Sequence, residues 1–492
     1  MLSRLLPLSL VLLASAPAAF ATNGYFAHGY SASQRALGGA GTALAEDALA
    51  LTINPASAAW VENRADVNLS LFKPVRNYEA GDVGGSSTGF GILTVAPEQR
   101  YSGRELFGIP GMAWVERIDD TYSAGLAIYG NGGLNTVYKG GQASFARAFS
   151  NLPGAGALLG AAPTESRCQG TFGGGSPVAG NNDTLGFCGN GTDTTSVDLI
   201  QLFVTPTLSM KLNDGLSLGF SPIFAGQRFQ AKGLQAFSRF SNSPDRVSDQ
   251  GYSFSFGGGA RIGLSARSDL LDFGASYQSR IRMSRFKEYE GLFADGGDFD
   301  IPSSWNLGVA LKPAPGHTLL FDYQRINFSE EASVGLPLNA DRFVNECALP
   351  RLVGNAAPSA ACLGSATGPG FGWQDMGVRK FGYQFRHGDW TWRAGYSHTR
   401  QPIPASEVLF NILAPGVIEQ HYTLGAGWRA TPALGFDLAL MYAPPNPVTG
   451  KNPLSNVSLN GTRIDARADA ADQDIRLDMK QYEVTLGMNY RY

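Results

Sequence analysis

The sequence predicts an all-β fold: a transmembrane antiparallel β-barrel of about fourteen strands, its lumen plugged by a small helical N-terminal hatch. Three observations predict it. Glycine is abundant, at 62 of 492 residues, aromatics reach 11%, and charged residues fall to 16%, well under the usual quarter or so. Beyond the first 21 residues no window holds the run of ~20 apolar residues that a spanning helix needs. Segments that alternate apolar and polar residues recur to the end of the chain, and the last is the clearest. In Gln481–Tyr492, Tyr482, Val484, Leu486, Met488, Tyr490 and Tyr492 share one face, and Glu483, Thr485, Gly487, Asn489 and Arg491 share the other. That period of two, with the apolar side out and the polar side in, is the mark of a barrel strand in lipid.

The chain divides into three parts. Residues 1–21 read as a cleavable signal peptide. Arg4 supplies a positive start, Leu5–Ala14 an apolar stretch, and Ala19-Phe20-Ala21 a small-residue cleavage site. Residues 22–64 are rich in Ala and Gly and do not alternate. Ala43, Leu44, Ala48, Leu49 and Leu51 recur at roughly helical spacing, which predicts a short helix. Asn54-Pro55-Ala56 then offers an N-cap and a first-turn proline, so a second helical turn should run toward Trp60. Such a piece is too small to fold alone and needs a container. Residues 65–492 supply one.

The first strand carries Val67, Leu69 and Leu71. A second ends near Ile118 and turns at Asp119-Asp120 into a third with Tyr122, Ala124, Leu126 and Ile128. Leu199–Leu212 is followed by Asn213-Asp214-Gly215, a hairpin turn, and by Leu216, Leu218 and Phe220. Tyr252–Leu264, Phe273–Ile281, Trp305–Leu311, Leu319–Tyr323, Phe381–Phe385, Trp392–Tyr396, Tyr422–Trp428 and Leu434–Leu440 alternate likewise. Short turns alternate with long connections, roughly Glu79–Leu106, Gly132–Val197, Ala231–Gly251, Phe286–Pro302, Ser329–Gly370, Gln401–Gly416 and Pro444–Lys480. Long loops face outside and short turns the periplasm, so residues 22–64 enter the lumen from the periplasmic end. A barrel of this width is too wide for its own side chains to fill, which makes that segment the plug.

Several residues are candidates for function. In the second long connection Phe145, Phe149 and Leu152 lie at near-helical spacing, and in the third Leu234, Phe237 and Phe240 do. Apolar faces on external loops pack on one another or capture a ligand. Arg228, Arg261, Arg280, Arg282, Arg325 and Arg379 are expected on or near the lumen face, where such a set could hold a carboxylate or form structural networks. Gly130-Asn131-Gly132-Gly133 marks either a bend in the third strand or its end feeding a loop. Cys168 with Cys188 and Cys347 with Cys362 form two local pairs in external loops. Local pairing is the simplest of three connectivities, and no histidine clusters with them to suggest a metal. Asp295, Asp298 and Asp300 read as a solvated acidic loop rather than a Ca²⁺ site.

An enzyme is not expected. The five histidines are scattered, no nucleophile motif or phosphate loop is present, and no cofactor is implied. A net charge of −3 offers nothing to nucleic acid. A general porin is the closer rival, and it would leave the lumen open and residues 22–64 dispensable. An adhesin is a third possibility, given the long loops.

Gly38-Gly39-Ala40-Gly41 followed by Asn54-Pro55-Ala56 just before the first strand resembles the hatch of outer-membrane hydrophobic-compound transporters of the FadL/TodX type. Gly132–Thr136, Tyr277–Arg280, Ile301-Pro302 before Trp305–Gly308, Asp322-Tyr323, Trp373–Asp375, Arg393–Tyr396 and Ala414–Gly416 continue the likeness in order across the mature chain. The resemblance implies a fourteen-stranded barrel in the bacterial outer membrane with a hatch gated around Gly38, Gly39, Gly41, Asn54, Pro55 and Ala56. It also implies passive passage of hydrophobic small molecules, fatty acids or aromatic hydrocarbons, toward a lateral gap at Gly130–Gly133. Fatty acids are the favoured class, because arginines are available. The surroundings would be outer-membrane lipid and lipopolysaccharide, and the chain is expected to be a monomer. The terminal aromatic strand resembles the signal read by the barrel assembly machinery.

Overall fold

Alternating side chains, each with one wet or packed neighbour and one greasy one, are satisfied when strands close on themselves with the apolar face outward. The computed structural model, which describes residues 23–81, 93–95, 97–139, 143–145, 194–352, 357–455, 458–459, 462–463 and 472–492, has that form. Among the described residues fourteen long strands follow in chain order. They are β1 (Arg64–Ala80), β2 (Phe107–Arg117), β3 (Tyr122–Lys139), β4 (Thr194–Asn213), β5 (Leu216–Lys232), β6 (Ser253–Ala266) and β7 (Leu271–Gln278), then β8 (Ser304–Ala314), β9 (His317–Ile326), β10 (Met376–His387), β11 (Trp390–Thr399), β12 (Gln420–Arg429), β13 (Leu434–Ala443) and β14 (Asp474–Arg491). Each pairs antiparallel with its neighbours, and β14 returns to β1 from Arg64↔Arg491 to Ala80↔Ile475, which closes the wall. Short runs at Glu98–Tyr101, Arg282–Met283 and Val448–Lys451 extend it at the outer rim.

The alternation on β14 is as the sequence predicts. Tyr482, Val484, Leu486 and Met488 are 43%, 40%, 57% and 48% exposed, while Gln481, Glu483 and Thr485 between them are buried. Two aromatic girdles bound the outward band. Trp390, Trp428 and Phe436 stack in series near the short turns, with centroids 5.9 and 6.2 Å apart. Tyr396 and Tyr422, 5.2 Å apart, and Tyr442 and Tyr482, 5.3 Å apart, stand near the long loops. No helix among the described residues is long and apolar enough to cross a membrane.

The N-terminal segment lies inside the wall and differs from expectation in detail. Its one α-helix is α1 (Ala32–Ala36), capped by Ser31, whose hydroxyl accepts from the Gln34 N–H. The spacing of Ala43–Leu51 predicts a helix, but only Ala48–Thr52 is helical, as a 3₁₀ turn. With every side chain of that turn buried, periodicity there reports no amphipathic face. A second 3₁₀ turn spans Pro55–Ala59, capped by Asn54. The signal-peptide expectation falls on residues outside those described.

The outer loops fold over the lumen. Cys347 and Cys362 are disulfide-bonded; the expected Cys168–Cys188 pair lies outside the described residues. Phe145 sits in a short strand, Ala143–Phe145, paired with Leu93–Val95 rather than on a helix, and Phe149 and Leu152 lie outside the described residues.

Candidate functional site: an apolar cavity, a broken seam and a seated hatch

The hatch fits a seat in the wall from which side chains have been removed. One glycine on each of several strands faces it. Gly219 of β5 lies against the Pro55–Ala56 peptide, Gly263 of β6 against Asn54, Gly274 of β7 and Gly308 of β8 against Thr42, and Gly395 of β11 against Gly38. Gly425 of β12 would place a Cβ 2.5 Å from that of Ala36. A methyl group at any of these would push the hatch away. Gly38, at φ +66°, is the reciprocal case on the hatch, since a side chain there would strike the Tyr396 backbone of β11.

Polar groups fasten what the glycines admit. Asp322 of β9 accepts from the Gly41 N–H (2.8 Å), the Thr42 N–H (2.8 Å) and the Thr42 hydroxyl (2.7 Å). Thr423 of β12 accepts from the Gly38 N–H and donates to the Ala36 carbonyl, both at 2.9 Å. Asn54 donates to the carbonyls of Thr42 and Leu264, each at 2.9 Å. Arg35 of α1 pairs with Glu483 of β14, and Arg261 of β6, a lumen residue as expected, donates to the Thr52 carbonyl. Burial alone would raise the Glu46 carboxyl, but the Arg386 and Arg393 guanidinium groups outweigh it and hold it at about 2.

Between β2 and β3 the wall is incomplete. Their ladder runs from Arg117↔Ser123 only to Gly111↔Tyr129. Phe107–Pro110 continue to pair with β1, but among the described residues nothing on β2 pairs with β3 beyond that point. The glycines do not end β3. The strand bulges between Gly130 and Gly132 and runs on beside β4 to Lys139. The start of the hatch lies against the bulge. The Ala27 N–H donates to the Asn131 carbonyl at 3.0 Å and the Gly133 N–H to the Tyr25 carbonyl at 3.1 Å, with Phe26 opposite Gly132. Gly132 is obligatory here, because a Cβ would lie within the Tyr25 carbonyl oxygen. Asn131 accepts from the Tyr30 hydroxyl (3.0 Å) and donates to Gln201 (3.0 Å), which donates to Gln227. Tyr25 packs on Phe328 and Trp373 at 5.1 and 5.8 Å.

Under the outer loops lies a cavity of ≈ 80 Å³ lined by Leu234, Phe237, Phe229, Leu292, Phe293, Phe371, Leu409, Phe410 and Leu413, among others. Phe240 is buried beside it, 5.7 Å from Phe343. No ionisable side chain is among the described lining residues. Ser333 is the polar one, and its hydroxyl is committed to the Asp298 carbonyl and the Ala294 N–H. The loop at Ile412–Leu413 that lines the cavity also accepts from Tyr138 and Thr136 of β3, at 3.0 and 2.8 Å. Below the hatch the lumen changes character. A space of ≈ 260 Å³ is lined by Glu46, Asp47, Arg64, Arg386, Arg393, Asp437 and Arg491.

The arginines expected to hold a carboxylate are elsewhere. Arg379 is exposed on the outward face of β10, and Arg282 is exposed outward at the rim. Arg228 shares the outward face of β5 with Phe224 and stands 4.3 Å over the Tyr252 ring, 3.7 Å from Asp198. Arg325 is paired with Asp375 at 2.9 Å. Arg280 lies among Asp298, Asp300 and Glu331, at 3.8, 3.1 and 2.7 Å. Those three carboxylates are close enough to share a metal ion, but the guanidinium occupies the cation's place. Burial, reinforced by Asp300, pushes Asp298 up to about 6, and burial pushes Glu331 up to about 8 against the opposing charge of Arg280. Asp295 pairs with Arg285 instead.

The family model described as "Outer membrane protein transport protein (OMPP1/FadL/TodX)" matches residues 186–492. Among solved structures, the Pseudomonas putida toluene transporter TodX aligns with a TM-score of 0.59 at 16% identity, over 94% of this chain and 99% of that one. A Pseudomonas aeruginosa FadL homologue gives 0.59 at 15% identity, over 95% and 99%. The Ralstonia pickettii toluene transporter TbuX gives 0.54 at 16%, over 94% and 99%. No curated protein matches the sequence significantly.

Proposed function

Because this chain belongs to the outer membrane protein transport (OMPP1/FadL/TodX) family, a family of transport channels rather than enzymes, we propose that it passes small neutral hydrocarbons passively from the cell exterior into the outer membrane. Solute enters the apolar cavity under the loops, moves to the broken seam between β2 and β3, and leaves sideways. The sideways route avoids rehydration, which costs about 0.8 kcal/mol per CH₂. The observation that carries the reading is the contrast between the two ends of the lumen. A cavity with no ionisable group among its described lining residues lies above the hatch, and a space lined by arginines and carboxylates lies below it. A fatty-acid carboxylate would lose its water in that cavity and meet no cation among the described lining residues. The fatty-acid expectation thereby loses the arginines that favoured it.

The moving part in this proposal is the stretch Asn23–Ala27, held at the seam by two backbone hydrogen bonds, and not the body of the hatch around Asn54 and Pro55. Ligand arriving from the cavity competes with that stretch, and the opening is driven by its differential affinity for the open arrangement. The test is uptake of labelled toluene and labelled oleate by cells lacking their own transporter, with and without this protein. Toluene uptake that depends on the protein, with oleate unchanged, is the expected result. Oleate uptake would restore the fatty-acid branch, and entry of small sugars would make the protein a porin.

A further inference from the structure

We propose that the outward face of β9–β11 binds the phosphorylated head group of an outer-leaflet glycolipid through Arg379 and Arg400. Strand register places these residues. Phe381 of β10 lies opposite Tyr396 of β11, Tyr396 opposite Tyr422, Tyr422 opposite Tyr442, and Tyr442 opposite Tyr482. This row is the outer aromatic girdle. Counted on their own strands from the lower end, where His387 pairs with Trp390, a tilt of about 40° raises Arg379 roughly 21 Å and Arg400 roughly 26 Å, close to the height of an apolar band. Arg379 and Arg400 therefore stand near the level at which acyl chains give way to head groups.

Arg379 is the next outward residue above Phe381 on β10, opposite His398 and Tyr323. Arg400 is the next outward residue beyond His398, immediately after β11. Both arginines are exposed, and neither has a carboxylate within 4.0 Å among the described residues. The nearby charges are otherwise engaged. Asp375 is held by Arg325 at 2.9 Å, and Glu419 accepts from the Gln401 N–H at 3.1 Å. The opposite side of the rim differs, since Glu79 faces Arg476 across the β1–β14 seam and both signs alternate there.

Two unpaired guanidinium groups just above the acyl boundary present paired donors that match phosphate oxygens. An isolated phosphate ion and a membrane-held phosphate offer the same oxygens. The position favours the membrane-held one, because acyl chains below can lie on Phe381 and Tyr396 while the head group meets the arginines.

The test uses full-length protein extracted from outer membranes in mild detergent, with native mass spectrometry and titration of bis-phosphorylated lipid A. Wild type should retain the glycolipid. Arg379→Ala/Arg400→Ala should bind it at least tenfold more weakly, as wild type should bind dephosphorylated lipid A. Arg379→Lys, which keeps the charge and loses the fork, should fall between. Arg282→Ala, at another exposed rim position, should match wild type. Heat-dependent gel mobility and toluene uptake verify the folded barrel in each. Equal retention by a folded double variant would overturn the proposal. Displacement of the glycolipid by millimolar inorganic phosphate would also overturn it, by reducing the site to a general anion site.

Discussion

Gly132→Ala isolates the role assigned to the N-terminal stretch. The added Cβ cannot coexist with the Tyr25 carbonyl, so Tyr25–Ala27 must leave the bulge of β3. Two backbone hydrogen bonds go with it, Ala27 N–H to Asn131 and Gly133 N–H to Tyr25. At about 1 kcal/mol each, their loss shifts the balance between covered and uncovered seam by about 2 kcal/mol, a factor of roughly 30. The hatch body should stay, because its ties to Asp322, Thr423 and the glycine seat lie on other strands. Toluene uptake at low concentration, where opening limits the rate, should rise severalfold or more and lose its dependence on ligand competition. The assay is initial uptake per inserted barrel, with heat-dependent mobility to count folded molecules. Wild-type rates in a correctly inserted Gly132→Ala barrel would refute the assignment of Asn23–Ala27 as the moving part.

Other expectations follow from the same geometry. Phe293→Asp puts a charge into the apolar cavity and should lower toluene uptake at least tenfold with the barrel intact, as uptake and gel mobility will report. Glu46→Gln should destabilise the protein near neutral pH but not near pH 2. The folded carboxyl, at about 2, lies below the unfolded value of about 4.3, so its contribution is present above about 4.3 and fades as pH falls toward 2. Denaturation midpoints measured from pH 6 to pH 2 should therefore converge for the two proteins. Cys347→Ser opens a loop closed by a sequence separation of 15, for which chain entropy gives about 3 kcal/mol. Limited proteolysis should cut near Asp341–Leu352 in this variant while the strands stay protected.

The wall was legible in the sequence because its physics has a period of two. Every residue of β10 and β14 is either in lipid or in the lumen, and Phe381, Tyr383 and Tyr482 declare which. That rule, followed strictly, also places Arg379 outside with Phe381, and Arg228 outside with Phe224. Arg282 could not be placed by counting, because Ser279–Ile281 interrupt the alternation after β7. The hatch was legible only in its Asn54-Pro55 cap. In α1 all five side chains, Arg35 included, are buried by the wall around them, so no polar face betrays the helix. The cavity was half legible. Leu234 and Phe237 were visible as an apolar loop face, but their partners Phe293, Phe371 and Phe410 come from three other loops. The seat was missed although it was signalled. Gly263, Gly274, Gly308, Gly395 and Gly425 recur at lumen positions, about one per strand, and read together they describe a surface waiting for another backbone.

That seat has a consequence for the order in which the protein is built. Its pieces are scattered along the chain: Gly38 meets Thr423 across 385 residues, and Gly41 meets Asp322 across 281. Contacts so distant form late, and the seat exists only once strands from β5 to β12 stand side by side. Residues 23–64 precede every strand in the chain, yet they have no seat until those strands have formed. The segment made first is thus the one whose place is completed last.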